Sequence, residues 1–332
     1  MYVNFPKVRY WVRLPSLPSY VNWRWSHCRK SQNVFKEFLR SFWAPTLHLS
    51  MSGDLTNVLK RAGKFGIKAG WIRFPADGTR IQVFDRQRNR ICKLSSCNAL
   101  ANTIPCELKA RGRVEHLTPA ILDVSPDESA FVEEWIAGYT PPYSRGSLVE
   151  AMRKLKEYLY AVNYIDITTY RESLTSSGNI TENQRCSLGS VLNMYSGSTL
   201  PVSQVHGDLV RRNLWKHPSR GILLLDWEYT RTCLVTHDCW LYLYHAYRSI
   251  DDKQPLSSSF FVNLREVLLC LGFDSFIENL TFNLPVIHAL HLFERLSYLR
   301  SVMPLRSIAY TNDVLERDLQ YAISTLESKR PL

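Results

Sequence analysis

The chain has 332 residues, 45% of them hydrophobic and 21% charged, enough to bury a large core and too apolar for disorder to be the default. Lys and Arg number 41 against 30 Asp and Glu, a net charge of +11. Such a surplus favours anionic partners (nucleotides, nucleic acid, acidic lipid, acidic glycan) without choosing among them. No apolar run is long enough to span a bilayer, and Pro, Arg and Trp break the first thirty residues where a secretory segment would be continuous. The eight cysteines contain no CxxC and no zinc-type Cys/His spacing, so reduced, structural thiols in a soluble or peripheral protein are expected.

Residues 1–70 read as an aromatic and basic N-terminal extension, an irregular opening followed by two helical stretches. Its Tyr10, Trp11, Arg13, Trp23, Arg24 and Trp25 either meet a membrane interface or pack back onto the main domain, the commoner fate. Asp54 before Leu55, Val58 and Leu59 predicts a capped amphipathic helix. From Trp71 the apolar period becomes two. Ile81 and Val83, then Ile91 and Leu94, flank the polar turn Asp85–Arg90, a hairpin signal. A helix is predicted around Ala99–Arg113, then two apolar stretches, Ala120–Val124 and Ala130–Ile136, ending at Gly138.

Residues 139–146 are a breaker-rich linker. Ser147 and Glu150 form a capping-box pattern, and Leu148, Met152, Leu155, Leu159 and Val162 recur at helical spacing. The Ser/Thr/Gly-rich stretch 172–200 reads as a loop. Short apolar runs alternate with polar clusters over 200–230, and the remainder is helical in character. The layout is α+β: a small strand-rich lobe over 71–138 and a larger, mainly helical lobe over 139–332.

The chemistry concentrates in Val205-His206-Gly207-Asp208-Leu209-Val210-Arg211-Arg212-Asn213 and in Leu223-Leu224-Leu225-Asp226-Trp227-Glu228. A carboxylate, an amide five residues on and a second carboxylate closing an apolar strand suit phosphoryl transfer. One Asp can orient a hydroxyl and take its proton, while the amide oxygen and the other Asp offer hard ligands to Mg²⁺. Arg211 and Arg212 either clamp substrate or γ-phosphate, or face solvent. His237 and His245 have no ligand spacing and read as core or surface residues.

These two segments resemble the aminoglycoside phosphotransferase and choline kinase superfamily, relatives of the protein kinases, whose catalytic loop reads H-G-D-x-x-x-x-N and whose metal-binding Asp lies in a D-W-E-like run. The resemblance implies a two-lobed protein-kinase-like fold with the nucleotide in the cleft. It implies Asp208 as catalytic base, His206 as a buttress, Asn213 and Asp226 as Mg²⁺ ligands, and Asp238 as a helix-opening residue that steadies the loop. In the small lobe, Ile91-Cys92-Lys93-Leu94-Ser95 resembles the strand whose Lys contacts the α/β-phosphates. Glu107 is then its ion-pair partner, with Glu115 the rival, and adenine meets the hinge backbone near Glu134 and Ile136. The single glycine in Phe74–Arg80 departs from the family's phosphate-covering loop.

The expected activity is transfer of the ATP γ-phosphate, or that of GTP, to a hydroxyl on a small molecule or glycan. The basic, tryptophan-rich extension and the Glu-Trp-Ile hinge resemble bacterial phosphotransferases of envelope polysaccharide assembly, which implies a cytoplasmic protein with peripheral contact at the anionic inner membrane face. Aminoglycoside or amino-alcohol kinases and a nucleotide-binding pseudokinase scaffold are the alternatives. No specific nucleic-acid partner is expected, because no recognised module accompanies the charge.

Overall fold

A computed structural model describes residues 2–5, 10–13, 46–48, 53–68, 70–73, 80–95, 103–136, 138–158, 161–175, 181–193, 199–248, 256, 258–273, 284–302 and 305–327, with backbone alone up to residue 55 and over 301–312. The described residues form two compact units, residues 1–105 with 119–136, and residues 106–118 with 137–332. The expectations for Trp23, Arg24 and Trp25, for the side chains of Tyr10, Trp11 and Arg13, and for the single-glycine loop between Arg73 and Arg80 lie outside the described residues. No described helix is long and apolar enough to cross a membrane.

The first unit is an eight-stranded antiparallel sheet. Its strands are β1 (Tyr2–Phe5), β2 (Tyr10–Arg13), β3 (Thr46–His48), β4 (Trp71–Arg73), β5 (Arg80–Asp85), β6 (Arg90–Ser95), β7 (Ile121–Val124) and β8 (Ala130–Glu134), in the order β3-β1-β2-β4-β5-β6-β8-β7. Strands from the region read as an extension thus continue the sheet, with Trp11 opposite Ile72 in backbone register. The β5–β6 hairpin is the predicted one. Asp85 caps its one-turn 3-10 helix by accepting from the Arg88 N–H at 3.3 Å, and Asn89 closes the turn at φ 48°, a conformation its short polar side chain tolerates.

The period of two sorts the sheet's faces. Ile72, Val83, Cys92, Leu94 and Val132 pack with Val58 and Ala62 of helix α1 (Gly53–Gly63). Trp71, Phe84 and Trp135 make an aromatic cluster with ring centroids 5.1–6.0 Å apart. Lys93, on the interior strand β6, is buried and pairs with Glu133 at 3.1 Å.

The second unit takes most of α2 (Ile104–Arg111), then α3 (Arg145–Tyr158), α4 (Ile167–Thr175), α5 (Glu182–Asn193), α6 (His237–Arg248), α7 (Ser258–Cys270), α8 (Leu284–Val302) and α9 (Leu305–Glu327). Short strands lie among them: β9 (Asn163–Asp166), β10 (Thr199–Val205) and β13 (Arg231–Leu234) form one sheet, and β11 (Leu214–His217) and β12 (Gly221–Leu224) another. Leu148, Met152 and Leu155 of α3 join a continuous core with Leu264, Leu290, Phe293 and Leu319. Tyr244 and Arg248 of α6 both bond Asp318 of α9, at 2.6 and 2.7 Å, and so fix those two helices together.

Three local expectations are corrected. Helix α3 starts at Arg145, two residues before Ser147, because Ser144 Oγ accepts the Ser147 N–H at 3.1 Å and serves as the cap. The helix ends at Tyr158, so Val162 lies beyond it and is exposed. The Ser/Thr/Gly-rich stretch holds helix α5, where Thr181 and Gln184 form a reciprocal capping box and Leu188 and Leu192 reach the core.

Candidate active site

The H-G-D segment follows β10, and its backbone is irregular, so its polar groups must find partners outside a ladder. Asp238, in the first turn of α6, supplies two: its carboxylate accepts the N–H of His206 at 2.8 Å and of Gly207 at 2.9 Å. His206 is itself buried, its Nε2 sits 2.9 Å from the Leu225 carbonyl, and its ring packs 4.5 Å from Trp227. Gly207 is obligatory on two counts. Its φ is +80°, and a Cβ there would lie 2.0 Å from the Tyr229 carbonyl oxygen. The loop is therefore clamped from both sides before Asp208 is reached.

Asp208 is buried and fully bonded. Arg295 Nη2 donates to Oδ1 at 2.7 Å, Asn213 Nδ2 to Oδ2 at 2.9 Å, and Arg212 Nη2 to Oδ2 at 3.3 Å. Burial alone would raise the Asp208 carboxyl. The Arg295 guanidinium, then Arg212, then His245 and His206 overcome that and hold it well below the usual carboxylate range. Arg295 also donates to the Gly207 carbonyl at 2.9 Å, so a residue from α8 fixes the loop's backbone and its acid together. His245 feels the same charges, its imidazole pushed down to about 4 by burial and then by Arg295.

Asn213 closes the one-turn helix Arg211–Asn213 and is buried. Its Nδ2 is spent on the Asp208 carboxylate and on the Asp208 carbonyl at 2.8 Å, so its amide oxygen is the group it can offer a ligand. Its carbonyl accepts the Leu225 N–H at 2.9 Å, which ties the residue before Asp226 to the H-G-D loop. Asp226 itself adopts φ 60°, ψ 63° as it opens the turn Trp227–Tyr229. An amide oxygen and a carboxylate joined this way are hard donors that fit Mg²⁺.

The residues expected to meet nucleotide lie on β6, α2 and the end of β8. Lys93 is buried against Glu133 and over the Phe131 ring at 5.4 Å. Glu107 is buried on α2, 3.4 Å from Arg111. Glu115, the rival, is exposed on a one-turn 3-10 helix. Glu134 ends β8 and Ile136 is buried two residues on. Gly138 follows with φ +145°, where a Cβ would meet Trp215 Nε1 at 2.4 Å and the Lys216 carbonyl at 2.5 Å.

Behind the loop lies a buried cluster that the sequence reading missed. Cys233, His237 and Glu294 bring their ligand-type atoms within 4.8 Å of one another. The hydrogen bonds already present assign these groups. Arg231 donates to His237 Nε2 at 3.0 Å, leaving the ring hydrogen on Nδ1, 3.3 Å from Glu294 Oε2. His291 Nδ1 also donates to that oxygen at 3.0 Å while its Nε2 accepts from Thr236 at 2.8 Å, and the Leu234 N–H reaches Glu294 Oε1 at 3.1 Å. Burial keeps Cys233 a thiol, and burial and then Arg231 push His237 down to about 4. The cluster thus pins α8 to β13 and α6. Glu294 is adjacent to Arg295, so the same contacts seat the guanidinium on Asp208. The signal available was His288, His291, Glu294 and Arg295 recurring within an otherwise Leu/Phe-rich helix.

No family model and no curated protein matches the sequence. Among solved structures, the chain is similar to the GDP complex of wild-type aminoglycoside 2'-phosphotransferase-IIIa, at 14% identity over 81% of this chain and 99% of that one, with a TM-score of 0.54. It is likewise similar to choline kinase LicA from Streptococcus pneumoniae, at 12% identity over 82% and 98%, with a TM-score of 0.55. The chain therefore has the two-part, protein-kinase-like α+β fold of the aminoglycoside phosphotransferases and choline kinases.

Proposed function

We propose that the protein is a Mg²⁺-dependent phosphotransferase that moves the γ-phosphate of ATP, or of GTP, onto a hydroxyl of a small molecule or sugar. The observation that carries this is the Asp208–Asn213–Asp226 arrangement: one carboxylate held ionised on a clamped loop, with an amide oxygen and a second carboxylate tied beside it by the Asn213–Leu225 hydrogen bond. The solved structures of like fold are named as phosphotransferases and kinases of small molecules, in keeping with that chemistry.

In this reading Asp208 receives the acceptor hydroxyl and takes its proton as the new P–O bond forms. Its low proton affinity in the resting state makes it first an orienting group, and the proton moves as the oxygen acquires phosphorus. Asn213 and Asp226 would hold Mg²⁺, which when bound neutralises phosphate charge. Lys93 would meet the α/β-phosphates with Glu107 as its partner, and the backbone at Glu134 and Ile136 would receive the base. The finer reading is a sugar acceptor of a bacterial envelope glycan, met at the inner membrane face, for which the net charge of +11 is the motive.

The test is Mg²⁺-dependent ATP consumption by the purified chain across aminoglycosides, amino alcohols, sugars and lipid-linked glycans. Transfer that needs Mg²⁺ and Asp208 supports the reading. ATP binding without any turnover favours the scaffold alternative. Absence of salt-sensitive binding to anionic liposomes removes the membrane component alone.

A further inference from the structure

The charges around Asp208 are lopsided. Among the described residues, every carboxylate near the loop already has work. Asp238 holds two backbone N–H groups, Glu294 holds two imidazoles and a backbone N–H, and Glu228 is buried. Asp226 is the proposed metal ligand. Asp208 carries two guanidiniums and an amide. Two of the nearby cations are committed as well. Arg295 stands on the Oδ1 side of Asp208, and Arg231 lies 4.1 Å over the Tyr298 ring and bonds the Tyr229 carbonyl at 3.1 Å.

Arg212 differs from both. Its side chain is 71% exposed, and it gives Asp208 a single 3.3 Å contact, one of the five donors a guanidinium fork presents. A bidentate anion satisfies such a fork far better than one oxygen of a carboxylate that Asn213 already occupies. A cationic acceptor with its hydroxyl on Asp208 would meet Arg212 and Arg295 with no uncommitted carboxylate among the described residues to receive it.

We infer that the acceptor is an anionic hydroxyl compound, its hydroxyl against Asp208 and its carboxylate or phosphate group on Arg212. This rests on the phosphotransferase reading and sets its substrate class. The rival occupant of Arg212 is the γ-phosphate, because Asp226 as well as Asp208 draws on that guanidinium.

The experiment uses the full chain with Mg²⁺ and three sugars that differ only at C6: glucuronate, glucose and 6-amino-6-deoxyglucose. Binding is followed by ligand-observed NMR with a non-hydrolysable ATP analogue, and transfer by kcat/KM with ATP. The expected order is anion, neutral, cation, with at least tenfold between the first and last. Arg212→Glu, a change at an exposed side chain, should reverse that order, and a thermal melt checks that the variant is folded. Preference for the amino sugar overturns the inference, as does the absence of any charge ranking in either assay. Equal losses for all three sugars in Arg212→Glu also overturn it and assign Arg212 to the γ-phosphate. Failure of the underlying reading looks different: no Mg·ATP consumption in the presence of any sugar, and no effect of Asp208→Asn.

Discussion

The sheet and the catalytic loop solve one problem, a buried charge on a fixed backbone, by opposite means. Lys93 sits in the middle of a ladder. Strands β5 and β8 flank β6 in unbroken register, with Gln82 and Phe131 opposite Lys93, so the backbone is settled before the side chain finds Glu133. Asp208 has no ladder. Its position comes from side chains of distant segments, Asp238 and Arg295 above all, that bond the loop's own backbone. Regular structure thus makes the lysine's place robust, whereas the aspartate's place depends on individual residues. Single substitutions should therefore act very differently in the two regions.

The largest expected effect is Asp208→Asn. The shape is kept and the proton acceptor is lost, so turnover should fall by about 10²–10⁴-fold while nucleotide affinity is nearly unchanged. Steady-state kinetics beside nucleotide titration checks this. Retention of more than half the activity would falsify the role of Asp208.

Arg295→Met comes next and probes stability. Removing one partner of a buried ion pair leaves the other uncompensated, typically at a cost of about 3–5 kcal/mol. Denaturant unfolding should show a loss of that order. Asp208→Asn in the same chain should recover part of it, because the stranded carboxylate is gone. Additive losses would show that Arg295 and Asp208 are not coupled.

Acid should dissolve the clamps before it dissolves the sheet. His237 and His245 have folded values of about 4 and His288 about 3, all depressed chiefly by burial from an unfolded value near 6.5. The unfolded chain then binds more protons as pH falls from about 6.5 towards 4, so each histidine contributes stability above that window that is lost within it. At about 1.4 kcal/mol per unit, the fall from about 6.5 to 4 is worth up to roughly 3.5 kcal/mol for each. Asp208 and Glu294 are held below the usual carboxylate range, and their contribution is lost at still lower pH. Equilibrium unfolding between pH 7 and 4 should show falling stability. A flat profile would mean that these imidazoles are not buried neutral.

What the sequence made legible follows the same division. Alternation at Ile81, Val83, Ile91 and Leu94 announces the hairpin, because a ladder writes itself into the pattern of its own residues. H-G-D and D-W-E announce the chemistry proposed for the loop, because its groups are adjacent in the sequence. Arg295 and Glu294 were invisible because a clamp is defined by what it meets across some 87 residues of chain, and the local pattern of α8 is only that of a helix. The Thr181–Gln184 cap was hidden for another reason: composition over 172–200 outweighed two buried leucines, Leu188 and Leu192, that anchor the twelve-residue helix.

Lys93→Met tests the sheet side of the contrast. The long apolar stem is retained and the β6 ladder needs no side-chain bond, so the backbone should keep its place, although the buried Glu133 left without its partner should cost about 3–5 kcal/mol of stability. Phosphate placement should suffer, lowering kcat/KM for nucleotide by about 10²-fold, with Glu107→Gln milder. A silent Lys93→Met, with another lysine critical, would show that β6 is not the phosphate-facing strand.

The smallest expected effect separates the two serines at the start of α3. Ser144 Oγ accepts the Ser147 N–H at 3.1 Å, and the Ser144 carbonyl accepts the Leu148 N–H at 3.2 Å, so Ser144 satisfies an end that would otherwise leave donors to water alone. Ser147 contributes only a hydroxyl contact back to Ser144 at 2.9 Å. Ser144→Ala should cost about 1 kcal/mol and Ser147→Ala a fraction of that, read as a shift in unfolding midpoint at constant slope. Helix α3 packs Leu148, Met152 and Leu155 into the core that carries the clamps, so the loss is one of global stability, and Asp208-dependent turnover below the transition should stay unchanged. The reverse ranking would return the cap to Ser147 and place the first turn of the helix where the sequence pattern had put it.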